Sequence, residues 1–94
     1  QGAVMKSIIQ SERECFICGS PYVEEHHIFG GPYRKKSEQY GLKVFLCHCD
    51  HNEPPNGVHH NKATMQYFHE LGQKAFEKHY PNKDFRKEFG RNYL

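Results

Sequence analysis

The 94-residue chain has no tryptophan and only two methionines, and apolar residues make up 36% of it. No apolar run approaches the ~18 residues of a membrane-spanning helix, and no hydrophobic segment typical of a secretory signal is visible. We therefore expect a protein of the cytoplasm rather than of a membrane. So thin a core rarely stabilises a domain of this size unaided, which indicates a staple such as a metal ion, a disulfide or a partner.

The chain also lacks a strong excess of either charge. Its formal net charge is +2 and its isoelectric point is about 8.4, below the ~9 typical of a dedicated DNA-binding domain. This balance permits a polyanionic partner without requiring one. Internal repeats and low-complexity tracts are absent as well, so the length predicts one small domain.

Two β-prone segments predict a hairpin. Residues 23–29 (VEEHHIF) and 42–47 (LKVFLC) are rich in β-branched and aromatic side chains. Between them, residues 30–41 open on two glycines and carry several basic side chains, which predicts a loop.

A helix is predicted from about Val58 or Asn61 to Tyr80, because apolar residues recur there with a period of 3.6. Asn61 is the expected N-cap, and Pro81 ends the segment. Pro-Pro and Asn-Gly predict a loop at 50–57. The chain therefore divides into an N-terminal arm at 1–14, a ββα domain at 15–80 and a basic tail at 81–94. Residues 1–4 are interpreted as a cloning remnant. The tail is either unstructured or a short helix that contains Phe85 and Phe89.

Four cysteines lie in two short pairs at the two ends of the predicted hairpin. Cys15 and Cys18 form Cys-x-x-Cys before a glycine, and Cys47 and Cys49 form Cys-x-Cys. In a cytoplasmic chain such pairs bind metal more often than they form disulfides. Zn²⁺ prefers four tetrahedral nitrogen or sulfur ligands, so we predict a structural zinc site that joins the start of the first strand to the end of the second.

The fourth zinc ligand has more than one candidate. Cys49 is the simplest choice, because residues i and i+2 share a face of an extended chain. His51 competes strongly, since Cys-x-x-x-His could wrap around the metal at a turn. Asp50 is a weaker candidate.

Histidines are concentrated around the hairpin and the start of the helix. Six of the eight lie between residues 26 and 60, namely His26, His27, His48, His51, His59 and His60. Imidazole is both a common metal ligand and, with an ordinary pKa of ~6.5, a suitable base near neutral pH. Clustering on this scale therefore points to a site.

Cys-x-x-Cys, then HHI closing a strand, then VFLC, then HN and a helix resemble the HNH, or ββα-metal, family of endonucleases. The run LCHCDHNEPPNGVHHN is similar to small phage-type members with a zinc knuckle. The resemblance covers about residues 15–80. It implies a small α+β fold, a zinc-stapled ββα-metal (HNH) finger with a long C-terminal helix, encoded by a phage or prophage.

The resemblance also implies roles for individual residues. His26 would bind a catalytic divalent metal, which could be Mg²⁺, Mn²⁺, Ni²⁺ or Zn²⁺. His27 would be the general base that deprotonates water. His59 would complete the metal site, with His51 as the alternative. Strand geometry agrees, because neighbouring side chains point to opposite faces and the two imidazoles can face different partners.

One family feature is missing. The asparagine that usually precedes the second strand and props the base has no counterpart in QYGLK, where Gln39 is one substitute. Glu24 and Glu25 are either ligands, partners that hold an imidazole tautomer, or a solvated acidic pair.

Arg34, Lys35 and Lys36 follow the proposed catalytic strand and are the candidates for phosphate contacts. No element that reads base sequence is evident, so the expected partner is DNA, double-stranded or branched, cleaved with low sequence specificity. A homodimer or a larger phage or host nuclease complex is compatible with this. The alternative function is a non-catalytic, zinc-stabilised module that binds nucleic acid or protein, and it is motivated by the missing asparagine and the short chain.

Overall fold

The computed structural model describes residues 6–51 and 57–94, apart from the side chains of Cys49, Asp50 and His59. It is a small α+β structure, as predicted. Its helices and strands are β1 (Glu24–His27), α1 (Arg34–Gln39), β2 (Lys43–Leu46), α2 (His48–His51), α3 (Lys62–His79) and α4 (Phe85–Phe89), with 3₁₀ turns at Gly31–Tyr33 and Val58–His60.

The predicted hairpin is confirmed. β1 and β2 are antiparallel, with Glu24 opposite Leu46, His26 opposite Val44 and His27 opposite Lys43. Residues that face each other across the ladder lie on one side of the sheet. One side therefore carries His26, whose ring contacts Phe68 of α3, with Val44, and the other carries His27 with Lys43.

The segment between the strands differs from the prediction, because it contains α1 rather than only a loop. Its residues, RKKSEQ, are mostly good helix formers but show no apolar period, so no pattern marks them. Tertiary contacts hold the helix: the buried hydroxyl of Ser37 donates to the carbonyl of Leu42. Gly41 then turns the chain at φ +71°, where a Cβ atom would lie 2.5 Å from the carbonyl oxygen of Lys6.

Helix α3 closely follows the predicted span. The side chain of Asn61 accepts a hydrogen bond from the backbone N–H of Thr64 at 3.1 Å, so the predicted N-cap is confirmed. Phe68 and Phe76 are fully buried on its inner face. At Gly72 a Cβ atom would come within 2.9 Å of Ile28, so glycine permits the close approach of α3 to the residues that follow β1.

Aromatic rings form the core between α3 and α4. Phe29 packs on Phe89 with ring centroids 4.7 Å apart, and Phe76 packs on Phe85 at 5.5 Å. The predicted short helix of the tail is present as α4, capped by Asp84, whose carboxylate accepts from the N–H of Arg86. The tail thus completes the core instead of lying outside it.

The loop predicted at 50–57 begins later than expected, because α2 extends to His51. Residues 52–56 lie outside the described part of the chain. Within residues 6–51 and 57–94, none of the helices combines the length and the apolar character that crossing a membrane requires.

Candidate metal centre and histidine site

Three cysteines meet at one end of the hairpin. The ligand atoms of Cys15, Cys18 and Cys47 all lie within 4.8 Å of one another. Cys15 is buried, and Cys18 is exposed. The turn that brings them together is a knuckle: the N–H of Cys18 points at the sulfur of Cys15 at 3.4 Å, and Gly19 follows at φ +80°.

The spacing of the sulfurs suits a tetrahedral metal. Cys18 Sγ and Cys47 Sγ are 3.6 Å apart, and two sulfurs bonded to one Zn²⁺ at ~2.3 Å would lie about 3.8 Å apart. The backbone holds this geometry, since the N–H of Phe16 donates to the carbonyl of Phe45 in β2 at 2.7 Å. The cluster could therefore bind a metal ion such as zinc, which bears out the coarser part of the zinc prediction.

None of the candidates for the fourth zinc ligand has a described side chain within the sulfur cluster. The side chains of Cys49 and Asp50 lie outside the described residues. Among the described side chains, no histidine joins the sulfur cluster. The ring of His51 lies instead beside that of His26, with centroids 5.1 Å apart. His51 is thus on the histidine side of the fold, where the sequence had it as the alternative ligand of a catalytic metal.

His26 points from β1 into the core. Its residue is only 2% exposed, and its ring lies 5.9 Å from that of Phe68 in α3. Beside it, His51 is fixed by a carboxylate: Nδ1 of His51 lies 2.8 Å from Oε1 of Glu24. Because an ionised carboxylate only accepts, Nδ1 is the donor of this hydrogen bond, and in a neutral ring the lone pair then lies on Nε2.

The carboxylate of Glu24 is hydrogen-bonded to two imidazoles. Its other oxygen lies 3.3 Å from Nδ1 of His48. The hydrogen bond from His51 lowers the pKa of the Glu24 carboxyl, and that from His48 adds to the effect, against partial desolvation. Of the roles open to Glu24 from the sequence, its hydrogen bonds to His51 and His48 favour that of a partner that holds an imidazole tautomer, which metal-binding histidines usually require of a neighbour.

His27 points to the opposite side of the sheet, as strand geometry predicts. Its Nε2 lies 2.8 Å from Oε1 of Glu38 in α1, and only 11% of its side chain is exposed. Lys43, which is buried, lies next to this pair, with Nζ 3.0 Å from Oε1 of Glu38 and 3.2 Å from Oε2 of Glu25.

Glu38 and Lys43 were not among the residues predicted for the site. Glu38 has no local signal, because its contact with His27 depends on how α1 packs. Lys43 does have a local signal in the sequence. A lysine inside an otherwise apolar strand must be buried or turned outward, and burial requires a carboxylate partner. Gln39, the predicted substitute for the missing asparagine, is the exposed neighbour of the residue that contacts His27.

Residues from both faces of β1 line one cleft. Its volume is about 220 Å³, and the residues that line it are Glu25, His26, His27, Gly30, Arg34 and His51. A larger groove of about 500 Å³ lies between the N-terminal arm and the sheet, and it also includes Glu25 and Lys43.

The remaining predicted residues divide into three groups. Arg34 lines the cleft and Lys35 is exposed. Lys36 is instead engaged with α4, where Nζ donates to the carbonyl of Glu88 at 2.8 Å. The side chain of His59 lies outside the described residues. The described structure therefore brings together His26, His27, His51 and Arg34 from the predicted set.

Comparison of the chain with protein-family models, with curated proteins and with solved structures finds no match in any of the three. Function must therefore be inferred from the residues of the site.

Proposed function

We propose that this protein is a metal-dependent endonuclease of the HNH type, which hydrolyses phosphodiester bonds of DNA with low sequence specificity. One observation carries the proposal: the adjacent histidines His26 and His27 both line one cleft, with the ring of His26 beside a second histidine and that of His27 beside a carboxylate. Hydrolysis of a phosphodiester is served by a metal ion that neutralises developing charge and a base that activates water, and a metal ligand and a base side by side can supply both.

In this proposal the cysteine cluster holds a structural zinc ion. Cys15, Cys18 and Cys47 supply three thiolates. Cys49 stays the candidate for the fourth by its spacing, but the extended chain first assumed for it is replaced by helix α2. The donor set supports it, because thiolates select Zn²⁺ over the hard cations. The site would attach the knuckle to the end of β2 and so keep β1 in place.

The catalytic metal is assigned to His26 and His51, with His59 as a third ligand. Glu24 supports the assignment, since it accepts from Nδ1 of His51 and leaves Nε2 of that ring to bind. A divalent cation bound here would neutralise the negative charge that develops on the scissile phosphate. Imidazole ligands suit Zn²⁺ and Ni²⁺ better than Mg²⁺.

His27 is assigned as the general base. When Nε2 donates to Glu38, Nδ1 carries the lone pair and can take a proton from the attacking water. Arg34 lines the cleft, and its guanidinium would hold the phosphate. Lys35 is free to contact the DNA backbone farther out, while the role of Lys36 in that contact would require release from Glu88.

A plasmid-nicking assay tests the function. Supercoiled DNA is incubated with the protein and Mg²⁺, Mn²⁺, Ni²⁺ or Zn²⁺, with and without a chelator. We expect nicking that His27→Ala reduces by about 10²- to 10⁴-fold, the usual contribution of a general base. His79→Ala, which removes an exposed histidine at the far end of α3, is the matched control and should nick normally. Equal nicking by wild type and His27→Ala would point to contamination and overturn the proposal.

The second candidate is a zinc-stabilised binding module without turnover, and the absence of the family asparagine favours it. It predicts binding of duplex or branched DNA, measured by fluorescence anisotropy, that His27→Ala leaves unchanged, together with no nicking under any metal. Size-exclusion chromatography with light scattering, run alongside, reports whether the active species is a monomer or a homodimer.

A further inference from the structure

Three charged residues surround His27 on the side of the sheet away from α3. Glu38 contacts Nε2 of the ring at 2.8 Å, and both of its oxygens lie within hydrogen-bond distance of Nζ of Lys43, at 3.0 and 3.1 Å. The same ammonium reaches Glu25 at 3.2 Å. The ammonium of Lys43, the carboxylate of Glu38 and the imidazole of His27 thus form a continuous hydrogen-bond network.

These hydrogen-bonded charged groups differ from a surface ion pair because Lys43 is buried. Lys43 is 2% exposed, and a buried ammonium is stable only when it is paired. Its pairing with both oxygens of Glu38 restrains that carboxylate, so the position of Oε1 beside His27 is set by the fold. β2 supplies Lys43 directly opposite His27 in the sheet, and α1 supplies Glu38 from above.

The same residues could be mistaken for a second metal site. The ligand atoms of Glu25, His27 and Glu38 lie within 4.8 Å of one another. However, Nζ of Lys43 lies within 3.2 Å of both carboxylates. The ammonium offsets one of the two negative charges, and it already takes up hydrogen-bond positions on both carboxylates that a metal ion would need.

We propose that Glu38 is the positioning residue for His27, that it holds the ring as the tautomer protonated at Nε2, and that Lys43 in turn holds Glu38. The inference deepens the proposed nuclease function and rests on it for its catalytic meaning. Glu38 acts through His27 and touches no substrate. In this proposal Glu38 supports the general base, as an asparagine before the second strand does in the HNH family.

The first test measures the tautomer and needs no turnover. Nitrogen-15 correlation spectra of the histidine rings, recorded at one fixed alkaline pH, should show His27 protonated at Nε2 in the wild type. Glu38→Ala should convert it to a mixture, and Glu12→Ala, which removes an exposed glutamate of the arm, should not. An unchanged His27 signal in Glu38→Ala would overturn the proposal.

The second test uses the nicking rate. Glu38→Ala should lower kcat roughly 10- to 100-fold, the usual cost of losing the partner that orients a functional histidine, with KM unchanged. Glu38→Gln should recover most of the rate, because its amide oxygen still accepts from Nε2. A loss in Glu38→Gln as large as in Glu38→Ala, or a loss confined to KM, would contradict positioning.

Glu38→Ala leaves Lys43 buried with Glu25 alone and could impair folding. The double variant Glu38→Ala/Lys43→Met removes both charges and should give the same mixed tautomer in a folded protein. If the wild type shows the Nε2 tautomer and the variants change it, but no form nicks DNA, the positioning of His27 stands and the nuclease function falls.

Discussion

The aromatic region between α3 and α4 and the cysteine–histidine region around the hairpin are built on different principles. The first consists of rings such as Phe29, Phe76 and Phe89, which pack on one another and need no other partner. The second consists of thiols, imidazoles and carboxylates, whose arrangement depends on hydrogen bonds and charge. The two regions meet where Phe68 of α3 contacts the ring of His26.

Metal removal should have the largest effect, and it should fall on the cysteine region. Structural zinc contributes about 10–16 kcal/mol of apparent free energy in zinc-finger peptides, more than a small core supplies. We therefore expect a chelator to abolish the cooperative melting transition followed by circular dichroism, and Cys47→Ser to lose it without a chelator. A transition that persists at the same temperature, in protein shown by elemental analysis to contain no zinc, would refute the assignment.

Truncating the centre of the aromatic region should come next. Phe76 is fully buried and contacts Tyr40, Phe85 and Phe89, so Phe76→Ala should lower the free energy of unfolding by about 3–5 kcal/mol. Urea denaturation of the metal-loaded protein measures it. Tyr67→Ala, on the exposed face of the same helix, is the control and should cost less than about 1 kcal/mol. Equal losses in the two variants would mean that the rings do not form the stabilising core.

The smallest expected effect concerns His69, a histidine of the aromatic region. It stacks on Phe29 and lies near Tyr93, and burial, with the charge of Arg91, lowers its pKa from 6.5. Below that pH the unfolded chain binds a proton that the folded chain resists, so the free energy of unfolding falls as the pH drops below 6.5. His69→Gln should flatten this dependence between pH values of about 7.5 and 5.5 in urea titrations. A slope identical to wild type would show that His69 does not contribute.

The hairpin, α3 and α4 could be predicted from the sequence, and α1 and α2 could not. The hairpin, α3 with its Asn61 cap, and α4 each have a local signature, either β-prone residues, a 3.6 period or an aromatic pair. Helix α1 has none, because six residues are too few to show a period and are held by contacts such as that of Lys36 with Glu88. Isolated helices of this length are unstable in water, so only packing decides that α1 forms.

The sequence by itself determined the donor groups of this protein: Cys-x-x-Cys before a glycine, a second cysteine pair, and two adjacent histidines whose strand separates them. Only the tertiary structure decided their partners. It placed His51 beside His26, and Glu38 beside His27 under the restraint of Lys43. The physical reason is that sequence patterns report on neighbours along the chain. A carboxylate in α1 reaches a ring in β1 only after α1 has packed against the sheet.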